Sequence, residues 1–246
     1  MWPTEAKSAS HWFAISVMCH LILVQSLVSK SDAAKQCSYA KFSPVHTMCV
    51  KSNCRTELSG VTAADRQVIL RVHNRWRSRV AKGKIARFPP AANMRLLHWD
   101  NELARTAQAH ANLCLFEHDC KDCRRVGRFS TGQNLFTAWS QLRDDPVSNW
   151  TSAIDAWFEE HSLTPADVVA SFRFEAGYAH FTQAAWASTV LIGCGYTMHR
   201  DGGRYVHLYT CNYGPSGNIW GEPMYRSGKP CSSCPKRTKC VQGLCK

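Results

Sequence analysis

The sequence predicts an α+β fold, and three observations carry that prediction. Helical periodicity dominates the chain from residue 62 onward. Strand-like runs come late, at 192–198 and 205–211, around an Asp201-Gly202 hairpin signal. No alternation of strand and helix runs between them, as a parallel doubly wound sheet would require. A chain of 246 residues, 45% hydrophobic and 20% charged, is long enough for one sizeable core and a small appendage, but crowded for two full domains.

Taken in order, residues 12–28 form an apolar run preceded by Lys7, interrupted by His20 and Gln25, and followed by small residues from 29 to 34. That pattern predicts a secretory signal peptide over 1–30 rather than a membrane span, which needs about 20 clean apolar residues. The mature protein is then expected to start near 30–35 and to be secreted, extracellular and without a transmembrane segment. Residues 31–60 hold Cys37, Cys49 and Cys54 without a sustained period and read as an extended segment pinned by disulfides.

Thr62, with Asp65 three residues on, is an acidic variant of a capping box. Val68, Val72, Trp76 and Val80 then recur every four residues before Gly83, which predicts an amphipathic helix. Pro89-Pro90 forbids its continuation. A second helix is expected from Asp100 as N-cap through Leu103, Ala107, Ala111 and Cys114. Something ordered begins at 132–136. Ile154, Trp157, Phe158 and His161 mark a third helix, and 181–189 a short fourth entered at His180. After Trp220 the composition shifts: Cys231, Cys234, Cys240 and Cys245 crowd a piece too small for a core, which disulfides must shape.

Of 13 cysteines, Cys19 leaves with the signal, and the remaining twelve read as up to six disulfides in an oxidising compartment. Cys120-Lys-Asp-Cys123 and Cys231-Ser-Ser-Cys234 also have the spacing of zinc or redox pairs, a reading that secretion disfavours. Asn149-Trp-Thr151 is a glycosylation sequon. A net charge of +12 suits anionic glycans of the heparin type, acidic proteins or lipid head groups. The bases are scattered, and the densest set, between 71 and 84, reads as the solvated face of the first helix. No nucleic-acid-binding motif is present.

Two stretches carry a family resemblance. Ala179-His-Phe-Thr-Gln-Ala-Ala-Trp-Ala-Ser-Thr189 is similar to the GHFTQ-x-x-W signature of the CAP superfamily, and Leu208-Tyr-Thr-Cys-Asn-Tyr-Gly-Pro-Ser-Gly-Asn-Ile-Trp220 to its second signature. The stretches 72–76, 93–104 and 132–135 support the match. The 90–94 run, His118-Asp119 before a cysteine, and Gly-Gln-Asn at 132–134 resemble arthropod antigen 5 proteins of venom and saliva. The resemblance implies an α-β-α sandwich over 61–222 and a hinge-like cysteine-rich tail over 223–246, similar to that of cysteine-rich secretory proteins. It implies the pairs Cys37–Cys49, Cys54–Cys114 and Cys194–Cys211. Cys120 and Cys123 are left over, with a bridge between them one possibility, and the pairing within the tail stays open.

The resemblance also implies a central groove in which two histidines and two acidic residues meet. The matching positions are His118, His180, Glu160 and Gln133, and Gln133 departs from the family's Gly-Glu-Asn. A glutamine hydrogen-bonds but neither acts as a base nor neutralises a cation. Two imidazoles, His118 and His180, suit a weakly held divalent metal, zinc or copper; the alternative is that they are hydrogen-bonded residues shaping the groove. His73, His98 and His110 read as core or surface residues. No zincin motif and no nucleophile elbow occur. The function expected is therefore that of a secreted, non-enzymatic effector binding an extracellular protein, anionic glycan or lipid. Lipid or sterol carriage, motivated by Phe136, Trp139 and Trp150, and metal-dependent hydrolysis or redox activity are the alternatives.

Overall fold

The computed structural model describes residues 37–141 and 148–246. The signal-peptide reading of 1–30, with Cys19, lies outside the described residues, as does the start of the N-terminal extension. The elements are β1 (Thr56–Ser59), α1 (Ala63–Ala81), β2 (His98–Trp99), α2 (Asn101–Ala111), β3 (Gly132–Ser140), α3 (Trp150–Glu159), α4 (Ala179–Ala184), β4 (Leu191–Asp201), β5 (Arg204–Gly214), β6 (Cys240–Val241) and β7 (Leu244–Cys245). Strands β1, β4, β5 and β3 lie side by side in that order and pair antiparallel, while β2 pairs parallel with β4. Helices cover both faces, which makes the α-β-α sandwich.

Local chemistry accounts for the long elements. Thr62 and Asp65 form the expected capping box, and the buried residues Ile69, Val72, His73, Trp76, Arg77, Val80 and Ala81 lie on one helical stripe. Trp76 stacks on Phe158 of α3 at 5.4 Å and donates its indole N–H to Asp155. Asp100 caps α2 by accepting from the amides of Glu102 and Leu103. On the opposite face of the sheet, Gly193 and Gly195 let α2 lie directly on β4. A Cβ on either glycine would come within 2.6 Å of α2 backbone atoms, so any larger residue there would push the helix off.

Four expectations are corrected. The hairpin turns on Gly202-Gly203, both at positive φ, because Asp201 still pairs with Arg204. The fourth helix ends at Ala184, and the chain turns through 185–190 before β4. The N-terminal segment is not wholly extended: it includes a 3-10 turn, Thr47–Cys49, and its residues 56–59 join the sheet beside β4. Arg77, on the helix read as solvated, is fully buried. It donates to the carbonyls of Arg95, Ala184, Trp186, Ala187 and Thr189, and desolvation lowers its pKa to about 9.

The cysteines pair as Cys37–Cys49, Cys54–Cys114, Cys120–Cys123, Cys194–Cys211, Cys231–Cys240 and Cys234–Cys245. The tail lacks a core of its own and docks onto the main core instead. Leu244 and Cys245 are buried, the Cys245 amide donates to Met94, the Leu96 amide donates back to Cys245, and Ser78 donates to the carbonyl of Gln242.

Candidate functional site

The four groove residues come from four separate segments. His118 sits on the loop after α2, Gln133 on edge strand β3, Glu160 in the turn leaving α3, and His180 in the first turn of α4. The structure brings them together, with the imidazole rings of His118 and His180 6.4 Å apart between centroids.

Each ring is fixed through the same nitrogen. His180 Nδ1 donates to Glu160 Oε1 at 2.6 Å, and His118 Nδ1 donates to Gln133 Oε1 at 2.8 Å. With both Nδ1 atoms engaged on acceptors, a neutral ring carries its lone pair on Nε2. Desolvation is the largest influence on His118 and lowers its pKa, the Gln133 hydrogen bond opposing it and Arg124 and His180 reinforcing it. The ring is thereby kept neutral and available as a ligand.

Glu160 also has a structural task. Its Oε2 accepts from the backbone amides of His180 and Phe181, the first free N–H groups of α4, while Tyr178 at the N-cap position offers no side-chain bond. At the other end of α4 the buried Arg77 takes the carbonyls of Ala184 and Trp186. A six-residue helix is too short to stand alone; here an anion holds its N-terminus and a cation its C-terminus, the signs the helix dipole favours. Trp157 stacks over His180 and donates to the carbonyl of Leu135, covering the edge of β3.

The His118 wall is built differently. Asp119 and Arg124 form a nearly buried ion pair at 2.6 Å, and Thr47 of the N-terminal segment also donates to Asp119. His110 bonds Thr210 through Nδ1 and the carbonyl of Glu117 through Nε2, tying α2 to both the sheet and the loop. Behind Gln133, Asn212 accepts from its amide; Asn134 donates to the backbone carbonyl of His180 and to the Tyr213 hydroxyl, which bonds His73. The supporting roles of Asp119, Arg124, Asn134 and Asn212 were not read from the sequence, although all four stand within or beside the quoted motifs.

The two imidazoles fit a divalent ion in their donor chemistry. Two rings sharing one tetrahedral ion through Nε2, with metal–nitrogen distances near 2.0 Å, have centroids roughly 5 Å apart, so the observed 6.4 Å requires the rings to draw closer around an ion. Two other clusters of ligand-type residues, Cys54 with Cys114 and His199, and Cys231 with Cys234 and Cys245, have their sulfurs in disulfides and offer no thiolate. His73 and His110 are buried and His98 is exposed on β2. The aromatic trio does not line one space: Trp150 is buried in the core, Phe136 packs at its edge, and Trp139 is exposed under the Arg204 guanidinium. Asn149 is exposed and caps α3 through its side-chain oxygen.

A helix-covered, mainly antiparallel sheet with two histidines brought together beside its edge strand defines the class. The CAP family model, described as the cysteine-rich secretory protein family, matches residues 70–213, and the chain belongs to this family. Among curated relatives it is 42% identical over 85% of its length to "CRISP/Allergen/PR-1" of Trittame loki and 41% identical over 92% to "Cysteine-rich venom protein" of Tityus serrulatus. It spans only 55% and 58% of those two proteins. It is 35% identical to "Venom allergen 5" of Vespa magnifica over 86% of this chain and 98% of that one. Among solved structures, BmVAL-1 superposes with a TM-score of 0.64 at 32% identity, covering 80% of this chain and 98% of that one. NaASP2 crystallised with Zn2+ superposes at 0.63 with 29% identity, covering 79% and 100%.

Proposed function

We propose that the protein is a secreted, non-enzymatic effector of the venom or saliva type, whose groove holds a divalent cation weakly between His118 and His180. The observation that supports this reading is that the two rings lie 6.4 Å apart between centroids, each with Nδ1 on an acceptor, which leaves Nε2 for a ligand. Support for a secreted role comes from the venom proteins among its relatives. Among the described residues no helix is long and apolar enough to cross a membrane. When bound, the ion supplies a positive centre for a carboxylate, carbonyl or hydroxyl of an extracellular ligand. With two protein ligands in place of the usual three, its affinity is modest.

A hydrolytic reading is weaker for a reason of geometry. Glu160, the residue available as a general base, spends both oxygens on His180 Nδ1 and two backbone amides. The test is a calorimetric titration of zinc and copper into the disulfide-formed mature protein beside a His118→Ala, His180→Ala double variant. Near-stoichiometric binding that disappears in the variant is the expected result. Binding that persists unchanged in the variant, or no binding to a well-folded wild type, would remove the metal from the groove.

A further inference from the structure

Where the tail meets the body there is a second cavity, about 380 Å3 in volume, lined by Asn93, Arg95, Ser188, Arg226 and Ser233 together with Cys234 and Pro235. Its polar residues are two arginines, two serines and an asparagine, with no Asp or Glu among them. Neither Arg95 nor Arg226 forms an ion pair among the described residues. The Nε of Arg95 is buried without an acceptor. Two uncompensated cations facing one recess raise each other's cost, and an anion between them relieves it through charge-assisted hydrogen bonds.

The recess is preformed. The Arg95 amide donates to Ala187, and its carbonyl receives the buried Arg77. Arg226 is held through its amide on the Asn93 side chain and its carbonyl on the Ala92 amide, while Ser233 is held on the Ala92 carbonyl. Little backbone ordering is left for a ligand to impose. A separate observation is that residues 223–246 hold Arg226, Lys229, Lys236, Arg237, Lys239 and Lys246 and not one Asp or Glu. All six are exposed.

We infer that this junction is an anion-binding site, and that it takes a sulfate group of a sulfated polysaccharide whose chain runs along the basic tail. A linear polyanion meets a run of bases in a way that a single phosphate does not. A membrane surface fits less well, because the tail contributes one exposed large apolar side chain, Val241, to any insertion. The site is separate from the histidine groove and does not depend on a metal there.

The experiment is a titration of the mature, disulfide-formed protein with a heparin-derived hexasaccharide at low and at physiological salt. It compares Arg95→Gln, Arg226→Gln with the charge-matched Arg55→Gln, Arg71→Gln, whose side chains are exposed elsewhere. The pocket pair should weaken binding about tenfold or more and the control pair much less. Ser188→Asp, on the exposed rim, should abolish binding with an unchanged near-ultraviolet circular dichroism spectrum, so that loss of binding is not confused with loss of fold. Equal losses in both pairs would show diffuse attraction and overturn the site, as would an absence of saturable binding in the wild type. Inorganic sulfate or phosphate matching the hexasaccharide in affinity would overturn the polymer. Co-sedimentation with phosphatidylserine vesicles that the hexasaccharide fails to compete would assign the surface to a membrane instead.

Discussion

The two walls of the histidine groove reach the same precision by different means. His180 rides on a helix of one and a half turns, clamped by Glu160 at one end and Arg77 at the other, inside the main core. His118 rides on a loop with no regular structure, and a nearly buried ion pair, the Cys120–Cys123 bridge and an N-terminal threonine hold it in place. The first wall is part of the fold's stability, whereas the second is an addition to it. Disturbing the first should cost stability, and disturbing the second should mainly cost the position of one ring.

The sharpest way to break that contrast is to remove the arginine from each wall. Arg77→Met leaves the carbonyls of Arg95, Ala184 and Thr189 without a donor in the core and is expected to lower unfolding free energy by about 4 kcal/mol, since each buried unpaired polar group costs about 1–3 kcal/mol. Arg124→Met breaks the pair with Asp119 and is expected to cost roughly 2–3 kcal/mol. Its larger effect should be on metal affinity, through a displaced His118. Urea unfolding and zinc titration on both variants decide this, and equal stability losses with equal affinity losses would erase the distinction between the walls.

A further contrast separates the walls by pH. His73 sits under the His180 wall, bonded to Tyr213 and Ile69, and burial lowers its pKa to about 3. Its folded value lies below the unfolded one, near 6.5. The stability it protects is therefore complete above about pH 6.5 and is lost as pH falls toward 3, by up to about 1.4 kcal/mol per pH unit. Urea midpoints measured between about pH 7 and pH 4 should show that slope, reduced by one proton in His73→Gln. An identical slope in the variant would assign the acid sensitivity elsewhere, with His110, whose pKa burial also lowers, the next residue to change.

The least disruptive change sharpens the comparison by making the walls alike. Gln133→Glu gives His118 the carboxylate partner that His180 already has, and should raise zinc affinity about tenfold by strengthening the ring as a donor. Unchanged affinity would mean that the support of His118 does not limit the site.

Much of this molecule was legible because its signals are local. The Thr62–Asp65 box, the Asp100 cap and the three-to-four spacing of Val72, Trp76 and Val80 act within one or two turns, and the observed helices start where those residues placed them. The histidine groove was legible only by resemblance, since nothing local connects His118 with His180 across 62 positions. The burial of Arg77, the docking of the tail through Leu244 and the recess between Arg95 and Arg226 were not legible at all.

The amino-acid sequence by itself determined the fold class, the long helices, the late hairpin and, through its two signatures, the family. Tertiary structure alone decided which cation would be buried, where α4 would stop, that residues 56–59 would join the sheet, and that the tail would close a basic cavity against the body. The physical reason is one of range. Caps, turns and periodicity are settled among neighbours in the chain, whereas burial and pairing depend on which distant surfaces meet, and one residue type can serve either outcome. Arg75 and Arg77, two positions apart on one helix, show it: the first is solvated and pairs with Asp155, and the second is sealed among backbone carbonyls.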